Sequence, residues 1–128
     1  YDAEAGGLNP IQTMSTLPTD FDGTSHTADI HVSPDGRFLY GSNRGHDSIA
    51  MYEIDQDSGQ LEARGHVLSG GKGPRNFALS PDGRFLFAAH HNTDDIHTFR
   101  VNLNDGSLEP TGQVTHVSAP VCLKFLVR

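Results

Sequence analysis

The heptapeptide SPDGRFL stands in the chain twice, as Ser33–Leu39 and as Ser80–Leu86. The match extends without a gap, laying Ala28–His66 over Arg75–Gln113. Ile30 then coincides with Phe77, Tyr40 with Phe87, Asp47 with Asp94, Ile49 with Ile96 and Gly59 with Gly106. A duplication of this extent is one structural unit written twice, and the chain must fold so that two such units pack as neighbours. Inside the first unit, four apolar runs are separated by turn residues: Asp29–Ser33, Phe38–Asn43, Ser48–Asp55 and Leu61–Leu68. Each is strand length and none reaches helix length. Pro34-Asp35-Gly36 supplies a fixed φ, a carboxylate that bonds its own backbone, and a residue free to take φ > 0; Asp57-Ser58-Gly59 supplies the last two. Four antiparallel strands per unit follow.

Composition agrees with this pattern. Only 35% of the 128 residues are apolar, Gly and Pro number 14 and 7, and Trp is absent, a profile suited to short strands and tight turns in an all-β chain. A unit of about 45 residues holding four strands is the signature of a β-propeller blade. The ends continue the pattern. Leu8–Ser15 resembles the fourth strand of a preceding blade, and Ala119–Phe125 tracks Gly73–Leu79, making the apolar run Val121–Val127 a first strand. The expected organisation is an outer strand in 1–17, a first full blade with its leading loop in 18–70, a second in 71–117, and the inner strand of a ring-closing blade in 118–128. Propellers use roughly four to eight blades, so two cannot close a ring. The chain reads as the last third of a larger protein, whose missing N-terminal blades, or another chain, complete the circle.

Charge and hydropathy exclude several partners. A net charge of −7 works against binding a phosphate backbone, so nucleic acid is not expected. No apolar run approaches the length of a membrane span, and Tyr1–Pro10 lacks the basic start and apolar centre of a signal peptide, so neither a membrane nor export is expected. A cytoplasmic location is the corresponding expectation. The single cysteine, Cys122, lies in an apolar run and is expected to be a buried structural thiol.

The segments TADIHVSPDGRFLYGSNRGHDSI, GPRNFALSPDGRFLFAAHHNTDDI and APVCLKF resemble the C-terminal third of the lactonase family of seven-bladed propellers. That family includes the propeller type of 6-phosphogluconolactonase and the fungal carboxymuconate cyclase. The resemblance covers the chain from about Leu8 onward. It rests less on SPDG, a common propeller turn, than on ADIH before the first copy, NRG after the following strand and GPRNF before the second copy. It implies an incomplete seven-bladed ring and a hydrolase acting on a small anionic sugar lactone, with 6-phosphogluconolactone the expected substrate, and no cofactor is expected. A non-catalytic propeller that binds a protein or small ligand on its top face is the alternative, and a carboxymuconate-type cyclase a further one. The 128 residues alone are expected to be inactive, because a pocket drawn from several blades cannot be assembled from two.

Strand alternation sorts the loops onto two faces. The SPDGR turns and the hairpins at Ser58-Gly59 and Asp105-Gly106 share a bottom face rich in aspartate. The loops Pro18–Ala28, Asn43–Asp47, Ser69–Asn76, His90–Asp95 and Thr115–Pro120 share the top, which collects His26, Arg44, His46, Lys72, Arg75, His90, His91 and His116. Lactone hydrolysis needs a base for water, donors for the developing oxyanion and cations for an anionic substrate. Arg75 and Arg44 are expected as anion ligands, since a planar guanidinium grips two oxygens, with Asn76 and His91 beside them. His31 is the candidate base and Asp29 its orienting partner or the base itself. Read as strand neighbours, those two are expected on opposite faces, leaving one of them structural. Asp47 and Asp94 read as turn-bonding carboxylates, and Ser33 and Ser80 lack any nucleophile motif. His90-His91 lacks the three convergent ligands and spacing of a zinc site; a solvated loop or anion contact is expected there, and no metal.

Overall fold

The computed structural model describes residues 1–126 and contains, among them, eight strands and no helix. They are β1 (His26–Val32), β2 (Phe38–Arg44), β3 (Ser48–Ile54), β4 (Leu61–Leu68), β5 (Pro74–Leu79), β6 (Phe85–His90), β7 (Asp95–Val101) and β8 (Leu108–His116). They form two four-stranded antiparallel sheets, each a simple meander, β1-β2-β3-β4 and β5-β6-β7-β8. The repeat thus sets the architecture, one sheet per copy, with β1 and β2 of the first lying against β5 of the second.

One core joins the sheets. Phe38, Tyr40 and Ile49 from the first pack with Phe77, Leu86, Ala88, Phe99, Val101 and Leu108 from the second, and Tyr40 and Phe77 are wholly buried. Burying one such aromatic contributes about 1.5–3 kcal/mol, so the shared face outweighs any single turn in holding the sheets together. Two side chains of the first sheet also donate hydrogen bonds across the same junction. Tyr40 Oη donates to the Gly106 carbonyl at 2.8 Å, and Arg37 donates through both terminal nitrogens to the carbonyls of Leu103 and Asn104 at 3.1 and 3.0 Å. Burial, with Asp35 and Asp105 nearby, pushes the Tyr40 phenol well above its ordinary range, so it stays a neutral donor.

The SPDGR turns are built identically. Ser33 Oγ donates to Asp35 Oδ1 and accepts from Phe38 N, while Ser80 Oγ does the same with Asp82 and Phe85. The serine hydroxyl in each turn holds its aspartate below the ordinary carboxylate value. Gly36 and Gly83 take φ of 76° and 72°, the left-handed conformation the motif needs.

The flanks form no ladder with either sheet among the described residues. Residues 12–17 instead lie across the first sheet through side chains. Gln12 exchanges two hydrogen bonds with the Leu61 backbone, Tyr52 Oη donates to the Ser15 carbonyl, and Asn43 Nδ2 donates to the Thr16 carbonyl. At the other end Leu123 N and the Phe125 ring rest on the second sheet, the ring 5.5 Å from that of Phe87. Of the proposed inner strand Val121–Val127, residue 127 lies outside the described residues, as does 128 of the unit 118–128. Cys122 corrects its expectation. It is exposed, as are Val121 before it and Phe125 after it, since among the described residues no strand packs over this run.

Candidate functional site

The first strand of each sheet carries a bulge at the same place, between Thr27 and Ile30 in β1 and between Pro74 and Asn76 in β5. An extra residue there re-aims the side chains beside it. Asp29 Oδ2 accepts from Asn76 Nδ2 at 2.5 Å and from Phe77 N at 3.2 Å, while Oδ1 accepts from Ile30 N at 2.9 Å. Asn76, the equivalent residue one unit later, repeats the gesture: its Oδ1 accepts from Leu123 N at 2.6 Å. The two residues are clasps between successive units, and both ends of the Asn76 amide are occupied.

His31 lies with Asp29, not opposite it. Its Nε2 is 3.1 Å from Asp29 Oδ2, and its ring meets Phe77 edge-on at 4.8 Å. The expectation of opposite faces fails because Ile30 separates the pair, and a strand returns every second residue to the same side. With the Nε2 proton assigned toward the carboxylate, Nδ1 is left as the lone pair.

A separate cleft of about 210 Å³ opens on the top face between the two sheets, lined by Arg44, Gly45, Asp47, Lys72, Gly73, Arg75, His91 and Asn92. Arg44 closes β2, Arg75 sits in the β5 bulge, and Lys72 lies on the loop between the sheets. Arg44 and Arg75 also border a second cleft, reaching Thr27, Ala28 and Val121. None of these three cations pairs with a carboxylate among the described residues, and the buried Nε of Arg44 has no acceptor. Three uncompensated cations on one small concavity attract anions even in an acidic chain. Arg44, Arg75 and His91 therefore share a site, whereas Asp29, His31 and Asn76 line neither cleft.

Lys72 belongs to this site although it was absent from the expected ligands. Its loop lies in the stretch between the gapless copies, so no register placed it; its only signal was membership of the cationic top loops. The fit around it is close. Gly45 has φ of 111°, and a Cβ there would strike the Thr24 carbonyl, so Arg44 can be followed only by glycine.

His90 corrects another expectation. It is fully buried, not part of a solvated loop, because its β6 position faces the segment Gly70-Gly71 of the inter-sheet loop. Gly71 N donates to its Nε2 at 3.3 Å, which leaves its proton on Nδ1, 2.9 Å from Asp95 Oδ1 but outside hydrogen-bond alignment. Thr93 Oγ donates to the same oxygen, and His97 Nε2 lies 3.5 Å from Asp95 Oδ2. Burial lowers the His90 pKa below its ordinary value, with Asp95 opposing. His90, Asp95 and His97 bring three donor atoms within 4.8 Å of one another. A neutral ring whose Nε2 lone pair is given to Gly71 has none to offer a metal at Nδ1, so the group fits a hydrogen-bonded cluster better than a metal centre.

Two adjacent four-stranded meanders with a shared core and clasped first strands are successive blades of a β-propeller. The chain belongs to the lactonase family, whose description, "Lactonase, 7-bladed beta-propeller", matches residues 1–125. It is 40% identical over 126 residues to a 6-phosphogluconolactonase of Bacillus subtilis, an alignment covering 98% of this chain and 36% of that protein. Its fold matches the periplasmic gluconolactonase PpgL of Pseudomonas aeruginosa with a TM-score of 0.90 at 35% identity, covering 95% of this chain and 34% of that one. A protein from Lactobacillus plantarum matches with a TM-score of 0.93 at 32% identity, covering 99% and 37%. The chain therefore spans little more than a third of the relatives it matches.

Proposed function

We propose that this chain supplies two blades, and the cationic rim between them, to a lactone hydrolase acting on a small anionic sugar lactone, 6-phosphogluconolactone. The observation that carries the reading is the top-face cleft in which, among the described residues, Arg44, Lys72 and Arg75 stand without carboxylate partners and Arg44 Nε is buried without an acceptor. Such a group holds a phosphate or carboxylate and donates to oxygens that gain charge during ring opening. His31, held through Nε2 by Asp29, is assigned as the base for water through Nδ1, from a place on the first strand outside the cleft. Asn76 serves by fixing Asp29, its own amide being used between the blades. The names of the similar proteins support a lactone as substrate. A phosphorylated lactone accords with a cytoplasmic setting, since its charge prevents passive passage through a membrane; among the described residues no helix is long and apolar enough to cross one.

The test is the rate of 6-phosphogluconolactone hydrolysis by the protein carrying its complete ring, measured against the spontaneous rate in the same buffer. Catalysis is expected, and Arg75→Ala and Arg44→Ala should each raise KM on the order of 10- to 100-fold, the value of one charged hydrogen bond. A rate equal to buffer would overturn the hydrolase reading. In that event, burial of the top loops by a bound partner would identify a binding propeller, and turnover of a carboxymuconate substrate would identify a cyclase.

A further inference from the structure

The two arginines of the cleft come from different blades, and something must hold those blades' loops at a fixed spacing. Asp47 is placed to do so. Its Oδ1 accepts from Gly45 N, next to Arg44, at 3.1 Å and from Gly73 N, between Lys72 and Arg75, at 2.9 Å. Its carbonyl accepts from both the N–H and the hydroxyl of Ser69 at 2.9 Å, at the start of the same inter-blade loop. One residue therefore ties the loop ending β2 to the loop entering β5. Asp47 itself takes φ of 55°, a conformation uncommon outside glycine, asparagine and aspartate. The next unit repeats the tie without the cations: Asp94, at φ of 58°, accepts from Ala119 N at 2.7 Å and through its carbonyl from Val117 N. A backbone device common to both blades thus carries three cations in only one of them.

We infer that Asp47 is a positioning residue for the anion cleft, setting the distance between Arg44 on one blade and Lys72 and Arg75 on the next through the single oxygen shared by Gly45 and Gly73. The inference deepens the anion-site reading above and rests on it. A carboxylate inside a cationic cleft would by charge alone repel an anionic ligand, so its contribution to binding must come through geometry. Oδ1 is the side-chain atom the tie uses; the backbone carbonyl that accepts from Ser69 stays whatever residue stands at 47. An asparagine offers the same acceptor, tolerates the left-handed conformation and removes the charge. Glycine tolerates the conformation and removes the acceptor.

Titration of the chain with inorganic phosphate, followed by amide and guanidinium NMR shifts, separates these effects. Asp47→Asn should bind phosphate as tightly as the parent chain or more tightly, whereas Asp47→Gly should bind about tenfold more weakly, an effect the size of one misplaced charged contact. Glycine binding within twofold of the parent, or asparagine losing as much as glycine, would overturn the inference. Should Asp47→Gly fail to fold, hydrogen exchange of the parent chain decides: the Gly45 and Gly73 amides should be protected together, and free exchange of either refutes the tie. Phosphate failing to bind the parent chain would remove both the cleft and the inference. In the complete ring, Asp47→Gly should raise KM far more than it lowers kcat. If phosphate binding behaves as expected but no lactone is turned over, the hydrolase reading fails and the role of Asp47 stands.

Discussion

His90 shows how much one position can differ between otherwise matched copies. The equivalent residue in the first blade is Asn43, which bonds Thr16 and Ser48. His90 takes the same place, accepting from Gly71 N and lying 2.9 Å from Asp95 Oδ1, but with a group that titrates. Because burial lowers its folded pKa below the ordinary 6.5, the unfolded chain binds the proton more readily. Stability is therefore full above pH 6.5 and declines as pH falls from there toward the folded value. Replacement by the asparagine of the sister blade should flatten this part of the curve of melting temperature against pH; an unchanged slope between pH 6.5 and 5 would contradict the assignment. At this scale the sequence was informative where register reached. Arg44, Arg75 and His91 met in one cleft because the repeat placed their loops on one face. The Asp29–His31 contact and the position of Lys72 were harder to read. The first was obscured by treating residues two apart as neighbours, and the second depends on the path of a loop that no repeat constrains.

The strands were legible almost throughout, since alternation and Pro-Asp-Gly turns act locally and the two copies corroborate each other. The bulges were not. A register shift such as that between Pro74 and Asn76 exists only relative to a partner strand, and nothing in PRNF alone announces it. Yet it is the bulge that brings Asp29 and Asn76 into their clasps. Contacts between blades are likewise written in residues that look ordinary in sequence. Tyr40 occupies a core position where the second copy has phenylalanine, and its hydroxyl reaches the hairpin of the next blade. Tyr40→Phe should therefore lower unfolding free energy by about 1–3 kcal/mol by leaving the Gly106 carbonyl without its buried donor, as read by urea denaturation. A change within experimental error would mean that water replaces the phenol.

Across the whole molecule, charge is distributed against its sum. The chain carries −7, yet its top face concentrates Arg44, Lys72 and Arg75 while the aspartates of the SPDGR turns lie at the opposite end of the strands. The two descriptions predict salt effects of opposite sign. If net charge governed approach, screening would help an anion reach the protein; if the local cleft governs, added salt must weaken binding. KM for an anionic lactone, or Kd for phosphate, should rise between 0.05 and 0.5 M sodium chloride, and a fall would return control to the overall charge. The exposed apolar residues Ile30, Val32 and Leu68 belong to this scale too. They lie on first and fourth strands, where a propeller blade meets material beyond itself.

The clasps also give the fold a direction. Asp29 receives the N–H of Phe77, and Asn76 that of Leu123; Asp47 receives Gly73, and Asp94 receives Ala119. In these four the earlier unit presents oxygen and the later one hydrogen, while at the opposite end of the strands Tyr40 and Arg37 donate forward to the carbonyls of Gly106, Leu103 and Asn104. The joint between the two sheets thus carries a tongue at one end and a slot at the other, and a unit turned end for end would set like against like at both.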